Sequence, residues 1–352
     1  MYYYLLVNLS VELLIKNSIL AVFNSFTLSD PQYNTKSLKT KAWLVIVNPA
    51  AAGGKGKNIW PRIKKELIIQ KIEFNFYFSE YAQHTILLAK NAVEKGCRKL
   101  LGVGGDGTLN EMVNGIFQNE ENVDSRDVTI ACIPVGTGND WTKSHGIGNS
   151  YREAIGHVKK NRVVLQDIGK VSMTRGNGDL ARYYYLNIAG IGFNASVVKN
   201  TKLISAKLFQ SKYNYLLALV MSLIGYKVAT VAMTTDDMLT DKQIVAFAIN
   251  IGICRYNGGG MMMVPHARYD DGLLSLTVVK KINRLKIIRN FFRLFDGSFI
   301  RKKEVETLNT PKVTISADSP VGVEMDGELA GKSKLITFEN LEKKLSVVTG
   351  NI

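Results

Sequence analysis

The sequence predicts an α/β domain built on a doubly wound parallel sheet, followed by an antiparallel all-β domain, a sandwich with helical insertions. Three observations carry this. Between residues 42 and 133 short apolar runs alternate with segments of helical spacing, the grammar of strand–helix–strand units. From about residue 162 strand-like runs follow one another with few crossover helices, as antiparallel pairing requires. Loops with unusual Gly, Thr, Asp or Lys content follow the first, third and fourth apolar runs, and open α/β sheets bind ligands beyond the carboxyl ends of their strands.

The elements read in order as follows. Residues 42–47 are an apolar, β-branched run that forms the first strand, stopped by Asn48-Pro49. Residues 50–57 are a small loop bearing glycines and lysines, and 59–69 have helical spacing. A strand at 72–78, a helix at 85–95, a strand at 99–103, a helix at 109–117 and a strand at 128–133 complete the alternating part. Strands are then expected at 163–171, 183–191, 229–233, 243–254, 273–279, 312–316, 321–325 and 335–339. Two helices interrupt them. One, at 205–226, carries Leu216, Leu219, Val220 and Leu223 on one side. The other, at 282–295, is amphipathic, with Leu285, Ile288, Phe292 and Phe295 as its apolar seam and Lys280, Lys281, Arg284, Lys286, Arg289 and Arg293 beside it.

The totals bound the partners. A chain of 352 residues exceeds the size at which one core stops growing, so two domains are expected. The net charge of +15 points to something anionic, a membrane surface or nucleic acid. Nucleic acid is the poorer fit, because the aromatics sit in apolar runs instead of alternating with basic residues. Three cysteines far apart in apolar runs read as buried thiols in a reducing compartment. Residues 1–40 hold apolar stretches broken by Glu12 and Lys16, too short for a spanning helix; they read as a poorly ordered extension.

The informative stretch is Gly104-Gly-Asp-Gly-Thr-Leu-Asn-Glu111, lying between an apolar strand and a helix. Its glycines allow positive φ and close approach of a ligand, and the amides of the turn and helix start favour an anion. Asp106 would repel a bare phosphate but not one carrying Mg²⁺. The stretch therefore reads as a nucleotide-phosphate site that uses a metal or needs a carboxylate near the transferred phosphoryl group, unless Asp106 or Thr108 merely caps the helix. Pro134-Val-Gly-Thr-Gly-Asn-Asp140 puts a second Gly/Thr/Asp loop at the same sheet edge. Asp270-Asp-Gly272 is either a turn or a metal-holding loop. Asp326-Gly-Glu328 is either a hairpin turn or a general base with its orienter.

Taken together with Val47-Asn-Pro49, these loops, in this order, resemble the diacylglycerol-kinase-like lipid kinases, which include sphingosine and ceramide kinases. The resemblance spans roughly 41–350. It implies a nucleotide-binding domain at 41–160, to which the chain end returns, and a lipid-substrate sandwich at 161–350, with the active site in the cleft between them. It implies ATP held by Asn48, Ser79, Gly104, Gly105, Asp106, Gly107, Thr108, Leu109, Asn110, Thr137 and Asp140. Relatives usually carry Thr at the Ser79 place, and Ser keeps the hydroxyl. Mg²⁺ would lie on the Asp271 carboxylate and the carbonyls of Arg268 and Leu273. Glu328 would accept the proton of a lipid hydroxyl, with Asp326 and Asp106 completing the catalytic set and Lys55 and Lys57 as mobile cations near the phosphates. Diacylglycerol is the expected acceptor; a sphingoid base or ceramide is the alternative within the family. A cytoplasmic enzyme bound to the inner face of an anionic membrane follows, docked through the basic helix and Met261 to Met263. Oligomeric state stays open, with a homodimer among the outcomes.

Rival readings are weaker. Gly102, Gly104 and Gly107 satisfy the dinucleotide fingerprint, but on the third strand and with Asp106 facing the pyrophosphate. NAD kinases share a Gly-Gly-Asp-Gly-Thr loop, yet Gly-Thr-Gly-Asn-Asp and Asp-Gly-Glu favour a lipid acceptor. Gly331-Lys-Ser333 ends like a Walker loop, but Asp326 stands where its first glycine belongs. A non-catalytic binding protein would show damaged acids, and Asp106, Asp140, Asp271, Asp326 and Glu328 are all present.

Overall fold

The computed structural model describes residues 42–136, 138–176, 178–207, 212–235 and 242–350, without the side chains of 205–207, 212–216 and 242. The expectations for residues 1–40 and for Thr137 lie outside the described residues, as does the side chain of Leu216.

The first domain is the expected α/β unit. Strands β1 (Trp43–Val47), β2 (Phe74–Phe78), β3 (Lys99–Gly104) and β4 (Thr129–Pro134) lie parallel in the order β4-β3-β1-β2. Val45, Ile46, Leu100, Leu101, Ile130 and Ile133 are wholly buried, because helices cover the sheet and strands between them need apolar residues on both faces. These helices are α1 (Ala51–Ile69), α2 (His84–Glu94), α3 (Asp106–Phe117), the short α4 (Asp140–Ser144) and α5 (Tyr151–Lys160). The expected loop at 50–57 is a distorted first turn of α1, with positive φ at Ala52, Gly53 and Gly54. Helix α3 begins at Asp106 and not at residue 109. The glycines there hid one turn of helix from a reading that follows apolar spacing.

The second domain is antiparallel, with β5 (Val163–Thr174), β6 (Leu180–Tyr185), β7 (Ile188–Gly192), β8 (Ala229–Thr235), β9 (Lys242–Gly252), β10 (Tyr256–Asn257), β11 (Met261–Met262), β12 (Leu274–Lys280), β13 (Val305–Thr310), β14 (Lys312–Met325) and β15 (Glu328–Val348). The single run expected at 183–191 breaks at Leu186-Asn187, whose backbone serves the site described below. The expected helix at 205–226 is a pair, α6 (Phe193–Lys207) and α7 (Lys212–Gly225). Leu219 and Leu223 are buried, whereas Val220 is exposed. The expected helix at 282–295 shrinks to α8 (Arg284–Arg289) and a 3₁₀ turn at Phe291–Leu294. Its half-buried side is Ile282, Ile287 and Phe291, packed on the α6–α7 core. The expected seam faces outward: Leu285 is 74% and Phe292 81% exposed.

Strand β15 joins the domains. It pairs with β14 and β5, and its Ser346 and Val347 pair in parallel with Thr129 and Ile130 of β4. One continuous sheet therefore runs through both domains. Cys97, Cys132 and Cys254 are free and buried.

Candidate active site

The Gly-rich loop is shaped by crowding and not by unusual φ. None of Gly104, Gly105 and Gly107 has positive φ, contrary to the expectation from sequence. A methyl on Gly104 would lie 2.2 Å from Thr108 Oγ1. Gly105 and Gly136 bring the two loops backbone to backbone, since a methyl on Gly136 would lie 2.8 Å from Gly105 Cα. The Val135 amide ties the loops further by donating to the Gly104 carbonyl at 2.8 Å. In the first turn of α3 the Thr108 amide donates to the Gly105 carbonyl at 3.0 Å; the amides of Asp106 and Gly107 come before the first helical bonds and give this edge an anion-binding end.

Asn48 fixes the loop from the end of β1. Its Nδ2 donates to Thr108 Oγ1 at 3.1 Å, and its Oδ1 accepts the Ala50 amide at 3.0 Å. Ser79 is buried at the end of β2, where its amide donates to the Val47 carbonyl at 2.9 Å. Lys55 and Lys57 are exposed on the kinked start of α1.

Asp106 caps α4. Its carboxylate accepts the amides of Asp140 at 3.1 Å and Trp141 at 2.9 Å. Asp140 is buried, accepting from Lys143 Nζ at 3.1 Å and the Gly259 amide at 2.7 Å. A methyl on Gly138 would lie 3.4 Å from Asp106 Oδ2 and 3.3 Å from Asp140 Oδ2, so the two carboxylates converge there. Burial, and then the Asp140 charge, hold Asp106 above the ordinary carboxylate range. Two carboxylates converging on an anion-binding edge are hard oxygen donors suited to Mg²⁺, so the residues fit a metal-bound phosphate. The Asp271 loop offers less. Asp271 Oδ1 accepts the Leu273 amide at 3.1 Å, and among the described residues no group of three or more His, Cys, Asp or Glu could hold a metal. Beside it the Asp167 carboxylate accepts the Gly272 amide at 2.7 Å and feels the Asp271 charge.

The Asp326-Gly327 pair is a hairpin turn, with φ of 50° and 82°, the two-residue form that Asp-Gly favours. It is also the junction of the domains. The Asp326 carboxylate is buried and accepts from the amides of Leu186, Asn187 and Ile188, each at 3.0 Å, and from Asn110 Nδ2 at 2.9 Å. Burial pushes it up to about 6. Asn110 is thereby locked between α3 and the turn, donating also to the Tyr184 carbonyl at 3.1 Å. The next residue but one, Glu328, projects over the loop. Its Oε1 lies 3.6 Å from where a methyl on Gly107 would be, and its Oε2 accepts from Lys202 of α6 at 2.5 Å.

Lys202, Glu111 and Glu324 belong to the neighbourhood but were not singled out from sequence. Glu111 accepts the Gln83 amide at 3.2 Å, and burial raises it, with the Glu328 charge adding to the effect. Glu324 is wholly buried, accepts the Gly327 amide at 3.1 Å, and is pushed up to about 8 by burial. Lys202 lies in an undistinguished polar run, and Glu324 alternates like any strand residue, so neither carried a motif; Glu111 closed the quoted Gly-rich motif and offered that much signal. A cavity of about 350 Å³ opens in the second domain, walled by Phe193, Val197, Leu219, Val279 and Ile287, with Arg289, Arg301, Lys302 and Lys303 also on its lining.

A Gly-rich loop with an anion-binding end facing a hairpin carboxylate across a domain junction is the arrangement a phosphotransferase requires. Residues 42–171 match the diacylglycerol kinase catalytic domain, and residues 187–349 match the YegS C-terminal NAD kinase beta sandwich-like domain. The chain belongs to the diacylglycerol-kinase-like lipid kinases. It is a kinase, and ATP is the phosphate donor that this family implies. A diacylglycerol kinase of Staphylococcus carnosus (strain TM300) is 26% identical over 309 residues, covering 87% of this chain and 94% of that protein. One of Staphylococcus aureus (strain Newman) is 25% identical over 311 residues, covering 87% and 92%. The crystal structure of a diacylglycerol kinase from Bacillus anthracis str. Sterne shares the fold, with a TM-score of 0.64 at 21% identity over 88% of this chain and 97% of that one.

Proposed function

We propose that the chain transfers the γ-phosphoryl group of ATP to the free hydroxyl of diacylglycerol, giving phosphatidic acid. The observation that carries this is the approach of Glu328 Oε1 to within 3.6 Å of where a methyl on Gly107 would lie. It sets a carboxylate beside the loop where the terminal phosphate would lie. The relatives named diacylglycerol kinase support the choice of acceptor.

In this reading Asn48, Ser79, Thr137 and the backbone from Gly104 to Asn110 hold the nucleotide, and Glu328 accepts the proton of the lipid hydroxyl as its oxygen attacks in line. Asp326 positions the turn and does not touch the reacting atoms. Asp106 and Asp140 would hold Mg²⁺ with the phosphates, and Asp271 with the carbonyls of Arg268 and Leu273 would hold a structural one. A metal bound among the phosphates neutralises charge on the transferring group. Lys202 orients the Glu328 carboxylate through its ion pair until a lipid displaces it.

The enzyme reaches its lipid at an anionic membrane surface. Leu285, Ile288, Phe292 and Phe295 are exposed among Arg284, Lys286, Arg289 and Arg293, a combination that binds charged interfaces. Among the described residues no helix is long and apolar enough to cross a membrane.

The test is transfer of label from γ-labelled ATP to vesicles holding diacylglycerol. Glu328→Gln should lower the rate about 10²- to 10⁴-fold, the usual worth of a general base, with its melting point kept. A variant retaining a rate within a few-fold of wild type would remove Glu328 from the chemistry.

A further inference from the structure

The second-domain cavity ends in polar groups that the transfer chemistry leaves unused. Directly opposed residues in antiparallel strands share a face. One such row crosses the sheet as Glu324 on β14, Gly190 on β7, Asn250 on β9 and Thr277 on β12. Glu324, Asn250 and Thr277 are each fully buried. Asn194, from the first turn of α6, leans over the row and donates from Nδ2 to Asn250 Oδ1 at 2.7 Å. Asn194 and Asn250 line the cavity.

Three atoms of this row have no hydrogen-bond partner: Asn250 Nδ2, Glu324 Oε1 and Thr277 Oγ1. Leaving one buried polar atom unpaired is costly, and three in one row mark a surface built for a polar ligand. Gly190 lets Asn194 and Glu324 pack over the row, since a methyl there would lie 2.5 Å from both Asn194 Nδ2 and Glu324 Oε1. The row is also tied to the proton acceptor. Glu324 Oε2 accepts the Gly327 amide, and Gly327 is the residue before Glu328.

We infer that Asn250, which lines the cavity and is backed by Thr277 and Glu324 in the same row, receives an ester carbonyl of the acceptor, so that the pocket selects a glycerol diester over a diether or a sphingoid base. Asn250 Nδ2 can only donate, and the Thr277 hydroxyl is free to do so. Burial favours the neutral form of Glu324, whose O–H donates as well. An ester carbonyl only accepts. A sphingoid amine would set donors against donors. In diacylglycerol the ester on the central carbon is bonded beside the carbon bearing the free hydroxyl. That short separation lets the carbonyl reach into the cavity from a hydroxyl bound near the Asp326-Gly327 turn, while Phe193, Val197, Leu219 and Ile287 on the cavity lining take the first methylenes. The inference rests on the acceptor reading above and adds to it the residues that choose the lipid.

The test uses the full chain, ATP and mixed vesicles carrying a diacylglycerol, the dialkylglycerol of equal chain length, or a sphingoid base. Wild type should phosphorylate the diester at least about fivefold faster than the diether at limiting acceptor, the scale of one hydrogen bond. Asn250→Leu should lower the diester rate several-fold more than the diether rate, bringing the two together, and circular dichroism of the variant reports on its folding. Gly190→Ala, as a second variant, should reduce the same preference. Equal wild-type rates on diester and diether would overturn the inference and leave the diacylglycerol reading standing. So would an equal loss on both acceptors in Asn250→Leu. Transfer to the sphingoid base alone, or to no lipid, would overturn both.

Discussion

Asp326→Asn separates positioning from chemistry. The carboxylate accepts four hydrogen bonds, three from the consecutive amides of Leu186, Asn187 and Ile188 and one from Asn110. An asparagine keeps one oxygen and turns an NH₂ toward the remaining donors, so two of the four are lost. Bonds to an ionised acceptor are worth about 1.5–3 kcal/mol each, which puts the loss at about 3–6 kcal/mol. That is a large share of a typical domain stability of about 5–15 kcal/mol. The assay is urea unfolding followed by circular dichroism at pH 8, where the wild-type carboxylate is ionised. Asn110→Ala removes one of the same bonds, so the double variant should lose less than the sum of the singles. If Asp326→Asn unfolded within about 1 kcal/mol of wild type while transfer disappeared, the scaffold role would be wrong. Asp326 would then act on the reacting groups.

Two further outcomes are expected. Glu324 carries a folded-state value of about 8 against an ordinary 4.5. The folded chain therefore keeps a proton that the unfolded chain releases, and this contribution to stability is present below 4.5 and lost as pH rises through 8. The difference is on the order of 5 kcal/mol. Glu324→Gln should gain on wild type in urea midpoint between pH 5 and pH 8, and parallel profiles would contradict the assignment. Gly136→Ala should drive the two loops apart, because its methyl would lie 2.6 Å from Asn139 Oδ1 and 2.8 Å from Gly105 Cα. A cost of about 1–3 kcal/mol is expected for such overpacking, together with weaker binding of a non-hydrolysable ATP analogue by calorimetry. Unchanged nucleotide affinity would place the phosphates elsewhere.

What was legible in the sequence was what local periodicity and loop chemistry encode. The alternation of β1 through β4 with helices is written in β-branched runs and helical spacing, and Asp326-Gly327 is written as a turn because only a two-residue loop with φ above zero fits there. Helix α3 was read three residues short because its first turn holds Gly107 and Thr108, poor helix formers kept for the space they leave. The helix expected at 282–295 was overestimated because its charges and leucines fit a helical seam, while tertiary packing of Ile282, Ile287 and Phe291 ends α8 at Arg289. The break between β6 and β7 was invisible, since Leu186 and Asn187 leave the strand to serve a carboxylate some 140 positions away. Lys202 and Glu324 acquire meaning only from such long-range neighbours.

The pairing of Ser346 and Val347 with β4 sets the timing of folding during synthesis. Strand β4 is complete more than two hundred residues before its parallel partner leaves the ribosome. Until then the nucleotide domain has a bare apolar edge at β4, the kind of edge that recruits other chains. The first domain is thus the earlier made but not the earlier finished, and a fragment ending at residue 171 should aggregate where the longer chain does not.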